Sequence, residues 1–215
     1  MDTESKPLRR HPARVMVGQS MQTTLAMMII QREHSNAALD KQGYNGRRVM
    51  GYKLPSWQRQ AKWSDEQCSR FLESIWMGVG LGTFMVNSNT FNETIDQILL
   101  DGQQRLRAIE RYFDGEVSVL GQDGNAYPWT ELNDGEQAHF LRISFPWIES
   151  QYKVEQDCVD AYNRHNFGGT QHEESERAQL LGQGLENEMS NQPHEPNGAR
   201  ETHAGSVNLM SQGKL

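Results

Sequence analysis

The sequence predicts an α+β fold in which a small mixed sheet is flanked by helices. First, the seven Phe, five Trp and six Tyr all lie between Tyr44 and Phe167, so this window holds enough large side chains for a core. Second, helix-type spacing of apolar residues alternates in this window with short apolar runs that are typical of strands. Third, a length of 215 residues suits one domain of ordinary size with polar ends.

Composition and hydropathy exclude a membrane protein. The net charge is -7 and the mean hydropathy is -0.77. The longest apolar cluster, residues 25–30, is far shorter than the roughly 20 residues that a bilayer requires. Because the N-terminus carries no apolar stretch of signal length, we expect a cytoplasmic protein without a membrane partner. Cys68 and Cys158 belong to no CxxC pair, and we interpret both as small buried hydrophobic residues.

The leading part of the chain is predicted to be polar and partly helical. Residues 1–19 have the composition of a flexible basic arm, and residues 20–48 are predicted to be a helix followed by a loop. Apolar residues at positions 21, 25, 28 and 29 share one helical face, which favours a helix over 20–34. Residues 49–54 have the character of a short strand.

Charge is distributed unevenly along the chain. Residues 1–59 hold ten basic and four acidic side chains, which gives +6, and the remainder carries -13. A basic arm on an acidic body suggests either a nucleic-acid contact or a solvated tail. A nucleic-acid contact would use Arg9, Arg10, Arg14, Arg47 and Arg48.

The best-marked helix begins after Ser64, where Ser64 and Gln67 form a capping-box pattern. A buried stripe follows at Cys68, Phe71, Leu72, Ile75 and Trp76. The spacing of this stripe is that of one helical face, and Gly78 is expected to end the helix.

The following segments alternate between strands and helices. Short strands are predicted over 83–87, 95–100, 117–120 and 142–147, and a helix over 103–113. A further helix face includes Val154, Cys158, Ala161, Tyr162 and His165, and a second capping-box pattern at Thr170 opens a helix to about residue 181. Residues 183–215 are polar and are predicted to be disordered.

The sharpest local feature is QILLDGQQRLRAIERYF, residues 97–113, in which a buried strand turns directly into a helix. The first turn of a helix presents unpaired N–H groups and the positive end of the helix dipole, which favours a phosphate. Gly102 permits close approach of a ligand, Gln103 and Gln104 offer amide groups, and Arg105 offers a guanidinium. The same residues also suit a plain capped turn. Asp101 could hold Mg²⁺, orient a water or cap the helix.

Two other segments are weaker candidates. In LPSWQRQAKW, residues 54–63, Gln58 and Arg59 offer polar groups near a helix start, although ordinary surface and core positions are the favoured explanation for this segment taken alone. In YNRHNFGGT, residues 162–170, a glycine helix stop explains the pattern without any ligand.

Together, and in this order, the three segments resemble the N-terminal domain of GmrSD-type modification-dependent restriction proteins. The resemblance covers residues 49–182 and rests above all on the Asp-Gly-Gln-Gln-Arg motif. It implies a ParB/sulfiredoxin-like fold that binds and hydrolyses a nucleoside triphosphate with Mg²⁺. It also implies a role in restriction, phage defence, counter-defence or DNA processing, with DNA, a separate nuclease or a host defence protein as possible partners.

The resemblance assigns roles by position. It implies a nucleotide site formed by Gln58, Arg59, Asp101, Gly102, Gln103, Gln104 and Arg105. Within it, Asp101, Gln104 and Arg105 would be catalytic, and Asp101 would hold the Mg²⁺. An accessory turn would comprise Asn166, Gly168, Gly169 and Thr170.

Departures from the family pattern limit the predicted activity. Many relatives carry an HNH nuclease with a His-x-x-Pro element, which His194-Glu195-Pro196 does not match, so we expect no DNA cleavage by this chain alone. The seven His form neither an HExxH motif nor a Cys/His cluster, so we expect no zinc site, and no haem. The alternative to an NTPase is a non-catalytic module that keeps the fold and binds DNA or a protein.

Overall fold

A mixed six-stranded sheet lies at the centre of the part of the chain that the structure, a computed structural model, describes, residues 18–167. Its strands, in the order they occupy in the sheet, are β1 (Gly18–Thr24), β8 (Ser144–Ser150), β4 (Phe84–Asn87), β5 (Ile98–Asp101), β3 (Tyr52–Lys53) and β2 (Arg48–Val49). Two pairs, β8 with β4 and β5 with β3, are parallel, and the other pairs are antiparallel. A separate hairpin joins β6 (Ser118–Leu120) to β7 (Ala126–Pro128).

Within residues 18–167, five α-helices flank this sheet and confirm the α+β class. They are α1 (Leu25–Lys41), α2 (Asp65–Trp76), α3 (Gln103–Phe113), α4 (Asp134–Leu141) and α5 (Glu155–Phe167). No described helix has both the length and the apolar character needed to cross a membrane.

The two central strands separate two apolar clusters. Phe84, Val86 and Leu99 belong to the larger cluster, to which α1, α2, α3 and α4 contribute. Met85 and Leu100 belong to a smaller cluster that includes Cys158 of α5. Because side chains alternate along a strand, β4 and β5 bury both faces, and α5 covers the face opposite to α3.

The predicted helix over 20–34 is wrong at both ends. Gly18–Thr24 forms strand β1, which pairs along its whole length with β8, so Gly18 and Gln19 do not belong to a flexible arm either. The strand is polar and largely exposed, and it therefore lacks the apolar alternation that identifies strands. Thr24 caps α1 by accepting a hydrogen bond from the Met27 backbone N–H, and the helix continues to Lys41 through part of the predicted loop.

Other predicted elements are confirmed, with small differences. The Ser64–Gln67 capping box is present at the start of α2, and α3 spans the predicted residues. The predicted strand over 49–54 is instead the short hairpin of β2 and β3, which turns at Met50 and Gly51. Helix α4 and strand β7 were not predicted. The helix predicted to begin at Thr170 lies outside the described residues.

Candidate functional site

The junction between β5 and α3 presents an uncapped helix N-terminus. Gly102 is the N-cap residue, with a φ of 95° and no side-chain cap. A Cβ atom at this position would lie 2.5 Å from the Phe84 Cβ, so the close packing of the junction on β4 requires glycine. The Leu106 N–H donates to the Gly102 carbonyl, which leaves the N–H groups of the first turn without intrahelical partners.

A cavity of about 350 Å³ opens at this junction. Its lining residues are Gln58, Arg59, Trp63, Asp101, Gly102, Gln103, Gln104, Arg105 and Tyr162. All seven residues that the sequence suggested for nucleotide binding therefore line one cavity, although two of them lie more than forty positions before the others.

The segment between β3 and α2 forms one wall of the cavity and is anchored to α3. The Gln104 Oε1 atom accepts hydrogen bonds from the backbone N–H groups of Lys62 and Trp63, both at 3.1 Å. Gln104 thus uses its side-chain oxygen to anchor the wall. Its catalytic role stays a prediction.

Contacts of two further residues, Arg47 and Trp57, hold the same wall from outside. The Arg47 Nη2 atom donates to the carbonyls of Pro55 and Gln58 at 2.7 and 2.6 Å. On the α5 side, the Trp57 ring packs edge-on against Tyr162, with ring centroids 5.2 Å apart. Trp57 also donates from Nε1 to Glu155. The position of Gln58 is therefore set from both sides, although the segment is neither helix nor strand.

Asp101 contacts two side chains, those of Arg105 and His165. Its Oδ2 atom lies 2.7 Å from the Arg105 Nη2 and 3.3 Å from the His165 Nε2. Arg105 also donates from Nη1 to the Leu81 carbonyl at 3.4 Å, which fixes the guanidinium plane on the cavity wall. Two of the five guanidinium N–H donors are thereby used, and three remain for a ligand.

Asp101 fits the predicted Mg²⁺ in one respect only. Its Oδ1 atom accepts no hydrogen bond from any described residue, and Mg²⁺ in nucleotide sites commonly takes one or two carboxylates together with phosphate oxygens. The described part of the chain holds no group of three His, Cys, Asp or Glu side chains that could form a metal site. Asp101 would therefore be a single protein ligand to a metal that also contacts a phosphate.

Two lining side chains are available for an anion. Arg59 is exposed and has no carboxylate partner among residues 18–167, and the Gln103 side chain makes no hydrogen bond within the same range. Arg59 therefore contributes a cation that no other part of the described domain neutralises.

Gln58 differs from the other lining residues because it is buried. It is only 4% exposed, and its Oε1 atom accepts no hydrogen bond from any residue in the range 18–167. A buried acceptor without a donor carries a free-energy cost of about 1–3 kcal/mol. Gln58 is therefore a lining residue whose acceptor the described domain leaves without a donor.

A second cavity of about 470 Å³ adjoins the first and shares Trp63, Gln103 and Gln104 with it. Four arginines line it: Arg47, Arg48, Arg107 and Arg111. Arg48, Arg107 and Arg111 pair with carboxylates, whereas the Arg47 guanidinium, within the described part of the chain, contacts only carbonyls. Two of the five arginines suggested for DNA binding, Arg47 and Arg48, thus lie together.

Both cysteines are buried and free, as predicted. Cys68 lines the second cavity, where burial raises the pKa of its thiol and the Arg111 guanidinium opposes that effect. Burial raises the pKa of Cys158 to about 12. Neither thiol is therefore poised for nucleophilic chemistry.

Several suggested residues lie outside the described part of the chain. Arg9, Arg10, Arg14, Gly168, Gly169 and Thr170 belong to this group. Asn166 falls within α5, but only its place in that helix is described.

His165 is the site residue that sequence reasoning missed, since it was noted only as part of a helix face. Its contact with Asp101 joins residues that are far apart in the sequence. No local pattern signals such a pairing. Tyr162, one turn earlier on α5, lines the cavity, which indicates that this helix face serves the site.

The fold and the site define an α+β domain with a candidate anion site where a central strand meets a helix. The model of a family described as "GmrSD restriction endonuclease, N-terminal domain" matches residues 38–202. The chain belongs to this family, which places it in a restriction or defence context and confirms the resemblance found in the motifs. No curated protein and no solved structure matches the chain, so the ParB/sulfiredoxin-like character stays a prediction.

Proposed function

We propose that this domain binds a nucleoside triphosphate in the cavity at the start of α3 and hydrolyses it. The observation that carries the proposal is that seven residues, each of them charged, polar or glycine, line one cavity at an uncapped helix N-terminus. Phosphate binding at such a position follows from the unpaired N–H groups and the helix dipole.

The charges of the site suit the triphosphate. The backbone N–H groups of the first turn of α3, Arg59 and the free donors of Arg105 would contact phosphate oxygens. Donors fixed in advance stabilise the charge that develops on the phosphoryl oxygens during transfer. The Asp101–Arg105 ion pair serves this purpose because it holds the guanidinium in one orientation.

Asp101 would have a second role through its other oxygen. Oδ1 would orient the attacking water or contact the Mg²⁺ that accompanies the triphosphate. The metal would supply charge neutralisation at the phosphates.

The test is a nucleotide panel in thermal-shift and phosphate-release assays, with and without Mg²⁺, on the full chain. We expect a nucleoside triphosphate with Mg²⁺ to raise the melting temperature, because a ligand that binds only the folded state stabilises it. Arg105→Ala should lower turnover by about 100-fold or more while the protein stays folded.

Arg70→Ala is the matched control, since Arg70 is exposed on α2 and has no ion pair within the described residues. Its turnover should equal that of the wild type. Undiminished hydrolysis by Arg105→Ala would refute the mechanism, and the absence of any shift across the panel would refute nucleotide binding.

A second candidate function is a non-catalytic module that binds DNA, or a protein such as a nuclease or host defence factor. The four arginines around the second cavity favour the DNA form of this candidate. Three of them already pair with carboxylates, so the cavity holds less free charge than its composition suggests.

A further inference from the structure

We infer that Gln58 reads the nucleoside part of the ligand, by accepting a hydrogen bond from a sugar hydroxyl or a base N–H group. This inference rests on the proposed function and adds the chemical class that the cavity distinguishes: a nucleotide, as opposed to a bare polyphosphate. Its basis is that Gln58 lines the cavity at the start of α3 and that its buried Oε1 atom has no hydrogen-bond donor among the described residues.

The argument depends on which chemical group can satisfy an acceptor. A fully ionised phosphate chain offers only acceptor oxygens, and so it cannot pair with a carboxamide oxygen. The N–H groups of α3, Arg59 and Arg105 are all donors and suit the phosphates. The Gln58 Oε1 atom is an acceptor and requires a hydrogen-bond donor. Within a nucleotide, only the sugar hydroxyls and the base N–H groups can donate to it.

The position of Gln58 is fixed before a ligand binds. Its backbone N–H donates to the Pro55 carbonyl at 3.2 Å, and its own carbonyl accepts from Arg47 at 2.6 Å. The preceding residue, Trp57, packs against α5. The backbone from which the Gln58 side chain extends is therefore held on both sides, which lowers the entropy cost of recognition.

Two aromatic residues complete this part of the cavity. Trp63 and Tyr162 line the same space as Gln58, and both come from elements outside the β5–α3 junction. A wall that combines aromatic surface with one buried acceptor suits a sugar or base, whereas the junction itself suits phosphates.

The experiment compares the affinities of nucleoside triphosphates and inorganic tripolyphosphate for the full chain by calorimetry. We expect the wild type to bind its best nucleotide about tenfold or more tightly than tripolyphosphate, as one hydrogen bond to a buried acceptor provides. Gln58→Met keeps the size of the side chain and removes the acceptor. It should bind the nucleotide about tenfold more weakly and tripolyphosphate unchanged.

Two controls separate this role from a structural one. Gln60→Met, at an exposed glutamine of the same segment, should leave both affinities unchanged. Ligand-free Gln58→Met should melt at or above the wild-type temperature, because the substitution removes an unsatisfied buried atom. A structural role for Gln58 predicts the reverse, a lower melting temperature.

The same binding measurements identify which group of the nucleotide donates the hydrogen bond. Weaker binding of 2′-deoxy or 2′,3′-dideoxy nucleotides would identify a sugar hydroxyl, and dependence on the base alone would identify a base N–H group. If tripolyphosphate binds the wild type as tightly as every nucleotide, the inference is wrong and the phosphate site stands. If neither kind of ligand binds, the proposed function fails and the inference fails with it.

Discussion

Glu110 shows how a single buried charge organises the surroundings of the site. It is the only buried carboxylate among the described residues. Its Oε1 atom accepts the Met50 backbone N–H at 2.9 Å, and its two oxygens pair with Arg32 and Arg107. Met50 has a φ of 49°, in the left-handed region, so Glu110 stabilises a strained turn between β2 and β3.

Removal of the Glu110 carboxylate should strongly lower the stability of the folded domain. We expect Glu110→Ala to lower the free energy of unfolding by about 3 kcal/mol or more, since it leaves the Met50 N–H and Arg107 without a partner and Arg32 with Asp114 alone. Glu116→Ala removes an exposed partner of Arg111 and should cost less than about 1 kcal/mol. Urea unfolding followed by tryptophan fluorescence measures both, and equal losses would contradict this account.

At the scale of elements, the junction of β5 and α3 depends on Gly102. Gly102→Ala places a methyl group against the Phe84 Cβ and backbone and imposes a left-handed conformation on alanine. The two effects together should cost about 2–4 kcal/mol.

Gly124→Ala provides the comparison, because Gly124 has a φ of 83° but open space around the position of its Cβ. We expect a loss of only about 1–2 kcal/mol there. Thermal unfolding of the two variants separates the steric effect from the conformational one. A loss at Gly102 no larger than that at Gly124 would show that the junction tolerates a side chain.

The elements that sequence reasoning predicted are those with strong local signals. The capping box of Ser64 and the apolar stripe of α3 are local, and both helices are confirmed. Helix α4 was missed because it is short and buries only Phe140, although Asn133 and Glu136 form a capping box. Strand β1 was missed because its stability comes from pairing with β8, which no local pattern reveals.

The candidate site shows the same difference between residues with a local sequence signal and contacts that depend on packing. The motif identified Asp101–Arg105 and the earlier Gln58 and Arg59, which line one cavity. The burial of Gln58 and the approach of His165 to Asp101 depend on how Trp57 and α5 pack. Such contacts arise only once the chain has folded, so the sequence pattern could not supply them.

For the whole molecule, the described domain and the basic arm should be separable. Every residue that lines the cavity at the start of α3 lies between residues 58 and 162, and β1 begins at Gly18. A variant that lacks residues 1–17 should therefore keep the full nucleotide-induced thermal shift. A deletion through residue 19 would instead remove two pairs of the β1–β8 ladder. Loss of the shift in the shorter deletion would assign the arm to the nucleotide site.

The same variant tests the DNA-binding alternative. Contacts by all five suggested arginines would make the logarithm of the affinity for duplex DNA fall with a slope of about -4 to -5 against the logarithm of salt concentration. Deletion of residues 1–17 removes Arg9, Arg10 and Arg14 and should reduce the slope by about 3 units. An unchanged slope in a titration by fluorescence anisotropy would exclude the arm as the contact.

The pairing of β1 with β8 has a consequence for the synthesis of the chain. Strand β1 is synthesised more than one hundred residues before its partner β8, so it stays unpaired while the segments between them are made. An unpaired strand invites association with other chains, most of all when it is apolar. The sequence GQSMQTT is largely polar, and β1 remains at the edge of the finished sheet. We therefore expect the polarity that obscured this strand in the sequence to lower the tendency of the unpaired strand to associate with other chains.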